Sequence, residues 1–446
     1  MDSVFARIFM IFGITVMMTG FEILYSVYQA PVYGYMGFYY VPPTPNERIC
    51  MWIAGAAPAI WLPISIRRPS QILYLLIYIF VYCPSIQMIF FTQRQTASER
   101  ISLILLLGVG FAISALCYAV PVKRIHAQRW SQQGFMRFIW TLLVLSLLVN
   151  LYVYNGQLKL VSFAERSDHR LSMRTVESNI VADYSMAMVA FCISPFFISL
   201  SLLRKKMSWF VVGFSSLFLL YLMSASRAFA LTIVYIPGVH FLIHRTHGKI
   251  GKWLPMLIGC SFFSIIGLHS INREIATELE VTYFQRTFVA PGYMTPVYFE
   301  FFSDHPYTYG SQLKGISSIV EYPYDLPLPF LLGAYLGDDQ NSANAHFWAE
   351  GMASGGPVGV VILSFMLAFV FWLIDRASDG LDPHSVALMI VTFSIPFANL
   401  GLPSILLGGG LGIMICLLAV MPPVEAFATD ERVVIGRAPA LAGARW

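Results

Sequence analysis

The sequence predicts an all-α, polytopic integral membrane protein, and three observations predict it. Of 446 residues, 57% are hydrophobic and only 12% charged, with a mean hydropathy of +0.67. A soluble domain is nearer one quarter charged, so an ordinary globular protein is excluded, and a disordered chain is excluded by the same figures. The formal net charge of +4 is small and dispersed, so no nucleic-acid partner is expected. Third, apolar runs of about 20 residues, the length that crosses a bilayer as helix, recur along the chain.

Twelve such runs follow in order: 8–28, 50–66, 71–91, 101–120, 138–155, 184–203, 207–224, 229–243, 253–270, 355–374, 385–400 and 404–422. The first is too long for a cleaved leader, and no small-x-small site follows it. The runs at 229–243 and 385–400 are the shortest. The six cysteines (50, 83, 117, 192, 260, 416) are scattered among the apolar runs, so no disulfide framework or CxxC site is readable.

Lys and Arg collect on the cytoplasmic side of membrane proteins. With the N-terminus inside, 17 of the 28 basic residues lie in inner segments, including Arg67-Arg68, Arg204-Lys205-Lys206 and the 245–252 turn. The outer segments hold 11, although they contain far more sequence, and 16 of the 24 acidic residues. Both termini are therefore expected in the cytoplasm. Inner loops are short. Outer segments are unequal: 29–49 is rich in Tyr and Pro, 156–183 is polar, and 271–354 is by far the largest. Long ordered loops usually carry function. No repeat or soluble domain boundary is visible, so 1–446 reads as a single membrane domain containing one large outer loop, 271–354.

That loop opens with helix formers (271–280), continues through an aromatic stretch (283–315), and ends in an Asn/Asp-rich turn that runs into a Gly-rich helix start (331–359). Aromatic faces flanked by hydroxyls suit sugar rings, and they equally suit an interfacial aromatic belt. Gly355, Gly356 and Gly359 permit close helix packing. Asp338-Asp339 is an acidic pair of the kind that holds divalent metals, but no third ligand is readable and no metal is expected. Glu22, in the outer half of the first run, needs one polar partner.

Three stretches together resemble the bacterial O-antigen polymerases, also called oligosaccharide repeat-unit polymerases. The first is Ser224-Ala225-Ser226-Arg227-Ala228, an arginine in a short outer turn. The second is Arg286-x-Phe288-x-x-Pro291, followed by Tyr298-Phe299-x-Phe301-Phe302. The third is Ala343-Asn344-Ala345-His346-Phe347-Trp348-Ala349-Glu350-Gly351, with Gly356 and Gly359 behind it. The likeness covers roughly residues 220–375, and Glu350 stands where the family usually has Asp, a conservative departure.

The resemblance implies a multi-pass GT-C-type glycosyltransferase at the outer face of a bacterial inner membrane, without a cofactor. Such an enzyme moves a glycan from one polyprenyl diphosphate to a sugar hydroxyl of another lipid-linked repeat unit. The implied partners are polyprenyl-diphosphate-linked oligosaccharides and membrane lipid, with a chain-length regulator and a flippase as further partners. Negative charge grows on the leaving diphosphate, and arginine suits it because its planar fork binds phosphate at two points and keeps its proton. Arg227, Arg286 and Arg273 are the candidates. Arg273 also pairs plausibly along its helix with Glu278 or Glu280. Lys314 and the Arg166, Arg170, Arg174 series are weaker ones, the series reading first as a solvated helical face. The acceptor hydroxyl needs a proton acceptor: His346 or Glu350, which share a face if the stretch is helical. Tyr298, Asn344 and Trp348 are the expected sugar contacts.

Two other readings remain open at the level of sequence. An O-antigen ligase shares the layout and would move finished polymer to lipid A core. A lipid-linked oligosaccharide flippase or transporter would show paired halves and polar residues along its spans; no pairing is visible, and the charges concentrate on one side.

Overall fold

A computed structural model of the chain describes residues 2–123, 128–154, 158–159, 180–224, 226–313, 316–338 and 342–428. Arg166, Arg170, Arg174, Lys314 and Asp339 lie outside the described residues. Every regular element among the described residues is helical. Among the described residues, nine helices are long and apolar enough to cross a membrane: α1 (Val4–Met36), α3 (Ser70–Thr92), α4 (Ala97–Tyr118), α5 (Gln132–Val153), α6 (Val181–Arg204), α7 (Met207–Ser224), α8 (Ala228–Arg245), α9 (Ile250–Ile271) and α13 (Phe347–Ala377). Large side chains such as Leu105, Val109, Val144, Leu148, Val234, Ile362 and Phe365 stand exposed along these helices. In water such a surface would be untenable, whereas against lipid tails it costs nothing. The protein is a polytopic helical membrane protein.

The remaining three apolar runs are divided. Residues 50–66 form α2 (Pro45–Ala56) and a single 3₁₀ turn at Ala57–Ile60. The run 385–400 is built from α14 (Pro383–Ile390), a 3₁₀ turn and α15 (Ser394–Asn399); the last run gives α16 (Leu402–Leu407) and α17 (Leu411–Val420). Prolines 58, 396 and 403 and the Gly408-Gly409-Gly410 triplet break the backbone ladder where hydropathy alone sees continuity. Helix starts are sealed locally: Thr44 with Glu47 and Thr96 with Glu99 form capping boxes at α2 and α4.

At the centre lies α3, wholly enclosed by other helices. α1 and α9 run side by side in the same direction. Phe9 meets Trp253 and Tyr28 meets His269, and between them a Cβ on Gly13 or Gly259 would collide with the facing backbone at 2.9 and 2.7 Å. Small residues let two spans approach where no hydrophobic drive exists between helices in lipid.

Segment 271–354, expected as a surface loop, is instead largely helical. After Asn272 breaks α9, α10 (Arg273–Leu279), a π-helical stretch (Glu280–Val289) and α11 (Ala290–Asp304) continue without a break. This stretch enters the bundle. Phe284 packs edge-on to Phe21 at 5.0 Å, Phe288 meets Phe262 at 4.9 Å and Phe80 at 5.4 Å, and Gly292 lies against Pro84. Phe301 and Phe302 are buried as well. The aromatic run that hydropathy placed at the surface is core, because its large rings fill space beside α3. A short α12 (Leu328–Tyr335) completes the segment.

Several described arginines expected on the inner side gather at one end of the bundle, where their guanidinium groups hold backbone carbonyls of neighbouring segments, some of them at helix C-termini. Arg7 donates to Ala59 O (2.6 Å) and Leu62 O (2.5 Å), and Arg68 to Cys117 O (3.1 Å) and Val120 O (3.2 Å). Arg129 reaches Asp379 O (2.6 Å) and Met421 O, Arg204 reaches Val424 O (2.8 Å), and Arg376 reaches Lys123 O (2.6 Å). Terminal carbonyls have no intrahelical donor and carry the negative end of the dipole, so cations there act as caps. Different partners meet at the other end: Glu22 with Arg48 (2.7 Å) and Tyr40 (2.9 Å), Arg100 with Glu47, and Arg94 with Glu300 and Tyr293 (2.6 Å). Each link joins stretches that the distribution of basic residues assigns to the same side.

Candidate functional site

The end that holds these ion pairs also contains a cavity of about 440 Å³, within the range of small-ligand sites. Three stretches distant in sequence wall it. Residues 311–313 and 317–329 contribute Ser311, Gln312, Ser317 and Tyr322; the start of α13 contributes Glu350; and the α15–α16 junction contributes Asn399, Gly401 and Ser404. Tyr298 and Asn344 close the ring, and Leu326, Pro327 and Pro329 give it apolar patches. Hydroxyls and amides alternating with C–H surface match a sugar, which presents the same alternation.

Glu350 is the only carboxylate on the wall apart from Asp325 among the described residues. It is nearly buried, at 9% exposure, and its Oε2 has no hydrogen-bond partner. Gln312 lines the same wall and donates from Nε2 to Ser354 Oγ at 3.0 Å. Gly401 leaves the room: a Cβ built there would sit 1.3 Å from Glu350 Oε2. A buried carboxylate oxygen without a donor costs about 1–3 kcal/mol, and a ligand hydroxyl would recover it.

His346 does not share this wall. It is the N-cap of α13, with extended backbone (φ −73°, ψ 168°), and its Nδ1 accepts from Ala349 N at 3.4 Å. Its Nε2 lies 2.8 Å from Thr295 Oγ1, which is 2.8 Å from Ser85 Oγ. With Nδ1 accepting, the proton belongs on Nε2, which donates to Thr295. The ring is fully buried, and burial pushes its pKa down to about 3. The i, i+4 spacing to Glu350 would join the two on one face only if both were helical; a cap residue folds back onto the first turn instead.

The other sequence-predicted residues divide as follows. Tyr298 and Asn344 line the cavity with Glu350; Tyr298 also donates to Ala343 O at 3.4 Å. Trp348 points into the core, donating from Nε1 to Ser364 Oγ at 2.9 Å beside Tyr82 and Phe111. Arg273 belongs to a second cleft, between the ends of α1 and α9. Arg286 is exposed on the π-helical stretch. Arg227 opens the helical stretch that continues into α8, and its side chain lies outside what the structure describes. That helix passes Ser394 at Tyr235 (3.0 Å), so its start, eight residues or about 12 Å earlier, approaches the cavity's end of the bundle. The cavity's described lining contains no arginine or lysine.

Gln312, Asn399, Gly401 and Ser404 were not singled out in the sequence. The signal available was the interruption Asn399-Leu400-Gly401-Leu402-Pro403-Ser404 between two short apolar runs, since broken helices inside membranes often mark sites. Among the described residues, no group of three His, Cys, Asp or Glu side chains could hold a metal ion. No protein-family model matches the chain, and neither does any curated protein or solved structure.

Proposed function

We propose that the protein polymerises lipid-linked oligosaccharide repeat units at the outer face of a bacterial inner membrane, transferring the glycan from one polyprenyl diphosphate to a sugar of another. The observation that carries the reading is Glu350, a carboxylate with one unpartnered oxygen on the wall of a cavity otherwise lined by hydroxyls and amides. The motif resemblance around 343–359 supports it.

On this reading the cavity takes the acceptor sugar. Glu350 accepts the proton of the attacking hydroxyl, that oxygen bonds to the anomeric carbon of the donor, and the bond from that carbon to the diphosphate breaks. His346, with both ring nitrogens engaged, supports the helix start and does not take the proton. Tyr298 and Asn344 contact the sugar. The departing diphosphate needs a cation outside the described cavity wall; Arg227, whose helix start lies towards the same end, fits best, with Arg286 and Arg273 farther candidates. A chain-length regulator and a flippase are the proposed partners.

Purified lipid-linked repeat units provide the test. Glu350→Gln should lower polymer formation by about 10²–10⁴, the usual worth of a proton-transfer group, while His346→Gln keeps far more activity if the protein folds. Normal turnover by Glu350→Gln would end the assignment. In cells, loss of the gene should leave single-repeat lipopolysaccharide; loss of all capped core would point to a ligase or flippase.

A further inference from the structure

A second cleft of about 420 Å³ lies between the ends of α1 and α9 and the start of α10. Tyr28, Tyr33, His269, Arg273, Thr277 and Glu280 line it. Glu280 is 3% exposed. One of its oxygens, Oε2, sits 3.2 Å from His269 Nε2, and the other, Oε1, has no partner. Tyr28 covers His269 face to face, with ring centroids 3.9 Å apart, so nothing further can reach the imidazole from that side. A carboxylate oxygen left without a donor beside an open cleft calls for one from a ligand. Burial also raises Glu280, to about 7, and a neighbouring cation would restore its ionised form.

Arg273 supplies the opposite charge. It precedes Glu280 by seven residues, two helical turns, which places both on one face about 10 Å apart along the axis. An anion alone would meet Glu280, and a cation alone would meet Arg273. A zwitterion satisfies both. A quaternary ammonium has no N–H to offer Oε1, whereas a primary ammonium does and also suits the rings of Tyr28 and Tyr33. Val27 and Val32 give the cleft an apolar, open side, at 55% and 54% exposure. Such a side, at the end of a span, belongs against acyl chains.

We propose that this cleft binds the phosphoethanolamine headgroup of a membrane lipid, the ammonium on Glu280 and the phosphate on Arg273. The proposal rests on the cleft alone, and it removes Arg273 from the candidates for the departing diphosphate.

The full chain, purified in mild detergent, can be offered equal amounts of phosphatidylethanolamine, phosphatidylcholine and phosphatidylglycerol and examined by native mass spectrometry. The wild type should retain the ethanolamine lipid about tenfold over the other two, the factor expected from one charged hydrogen bond. Glu280→Gln should bring it down to the level of the choline lipid. Arg273→Gln, at an exposed position that leaves the fold alone, should weaken retention by a similar factor. Equal retention of the three lipids, or unchanged retention of the ethanolamine lipid in Arg273→Gln, would overturn the proposal. Soluble phosphoethanolamine binding as tightly as the lipid would overturn the part played by the acyl chains.

Discussion

At the residue scale the cavity depends on one carboxylate and the glycine facing it. Gly401 has an ordinary backbone conformation (φ −68°, ψ 152°), so alanine is tolerated by the chain itself. Its methyl group would nevertheless occupy the place of Glu350 Oε2. Gly401→Ala should therefore leave expression near normal while displacing the carboxyl group, and polymer formation should fall nearly as far as in Glu350→Gln. A polymerisation assay run beside a melting curve checks this: full activity in Gly401→Ala would show that Glu350 works from another position. Thr295→Val makes the converse case. It removes the acceptor of His346 Nε2 in a fully buried chain of hydrogen bonds, so about 1–3 kcal/mol of stability should go. The melting temperature reads that loss.

At the scale of elements, α13 decides the shape of the cavity. Its first turns carry Glu350, and it breaks at Gly355-Gly356 before continuing into the span. Gly356 has φ 60° and ψ −143°, a conformation that side chains avoid, and a Cβ there would lie 2.5 Å from the Tyr307 hydroxyl. Gly356→Ala should cost about 1–3 kcal/mol through backbone strain alone and reduce activity by moving the Glu350 turn. Thermal unfolding and the polymer assay together check it; an unchanged melting temperature would mean that the break is not fixed by this residue. The sequence marked these glycines as packing residues, and only the fold shows one of them to be a corner. α11 holds the same lesson. Its Tyr, Phe and Pro content suits an interfacial loop as well as a packed helix, and the deciding contacts, Pro84, Ser85 and Arg94, lie some 200 residues away.

For the whole molecule, arginine caps at one end and ion pairs at the other sort the chain into two ends that agree with its basic-residue distribution. The orientation that follows is testable in intact cells. In a variant with Cys260 and Cys416 replaced by alanine, a membrane-impermeant thiol reagent should label Ile319→Cys, at a site 85% exposed, and spare Lys249→Cys until the cells are opened. Labelling of Lys249→Cys alone would invert the whole molecule.

By itself the sequence determined that the chain is helical and membrane-embedded, where most spans fall, and which turns share a side. Those properties follow from local composition: apolar runs of sufficient length, breaks at proline and glycine, and charge at helix ends. The family resemblance singled out Glu350, Tyr298 and Asn344, and the fold is what puts the three on one cavity wall. The tertiary structure alone decided that His346 caps a helix and Trp348 fills the core, since a residue and its neighbour on a helix start can face opposite ways. It alone brought Gln312 and Gly401 to Glu350 and divided three apolar runs that hydropathy reads as whole. A cavity wall is assembled from distant segments, and no local pattern records which of them will meet.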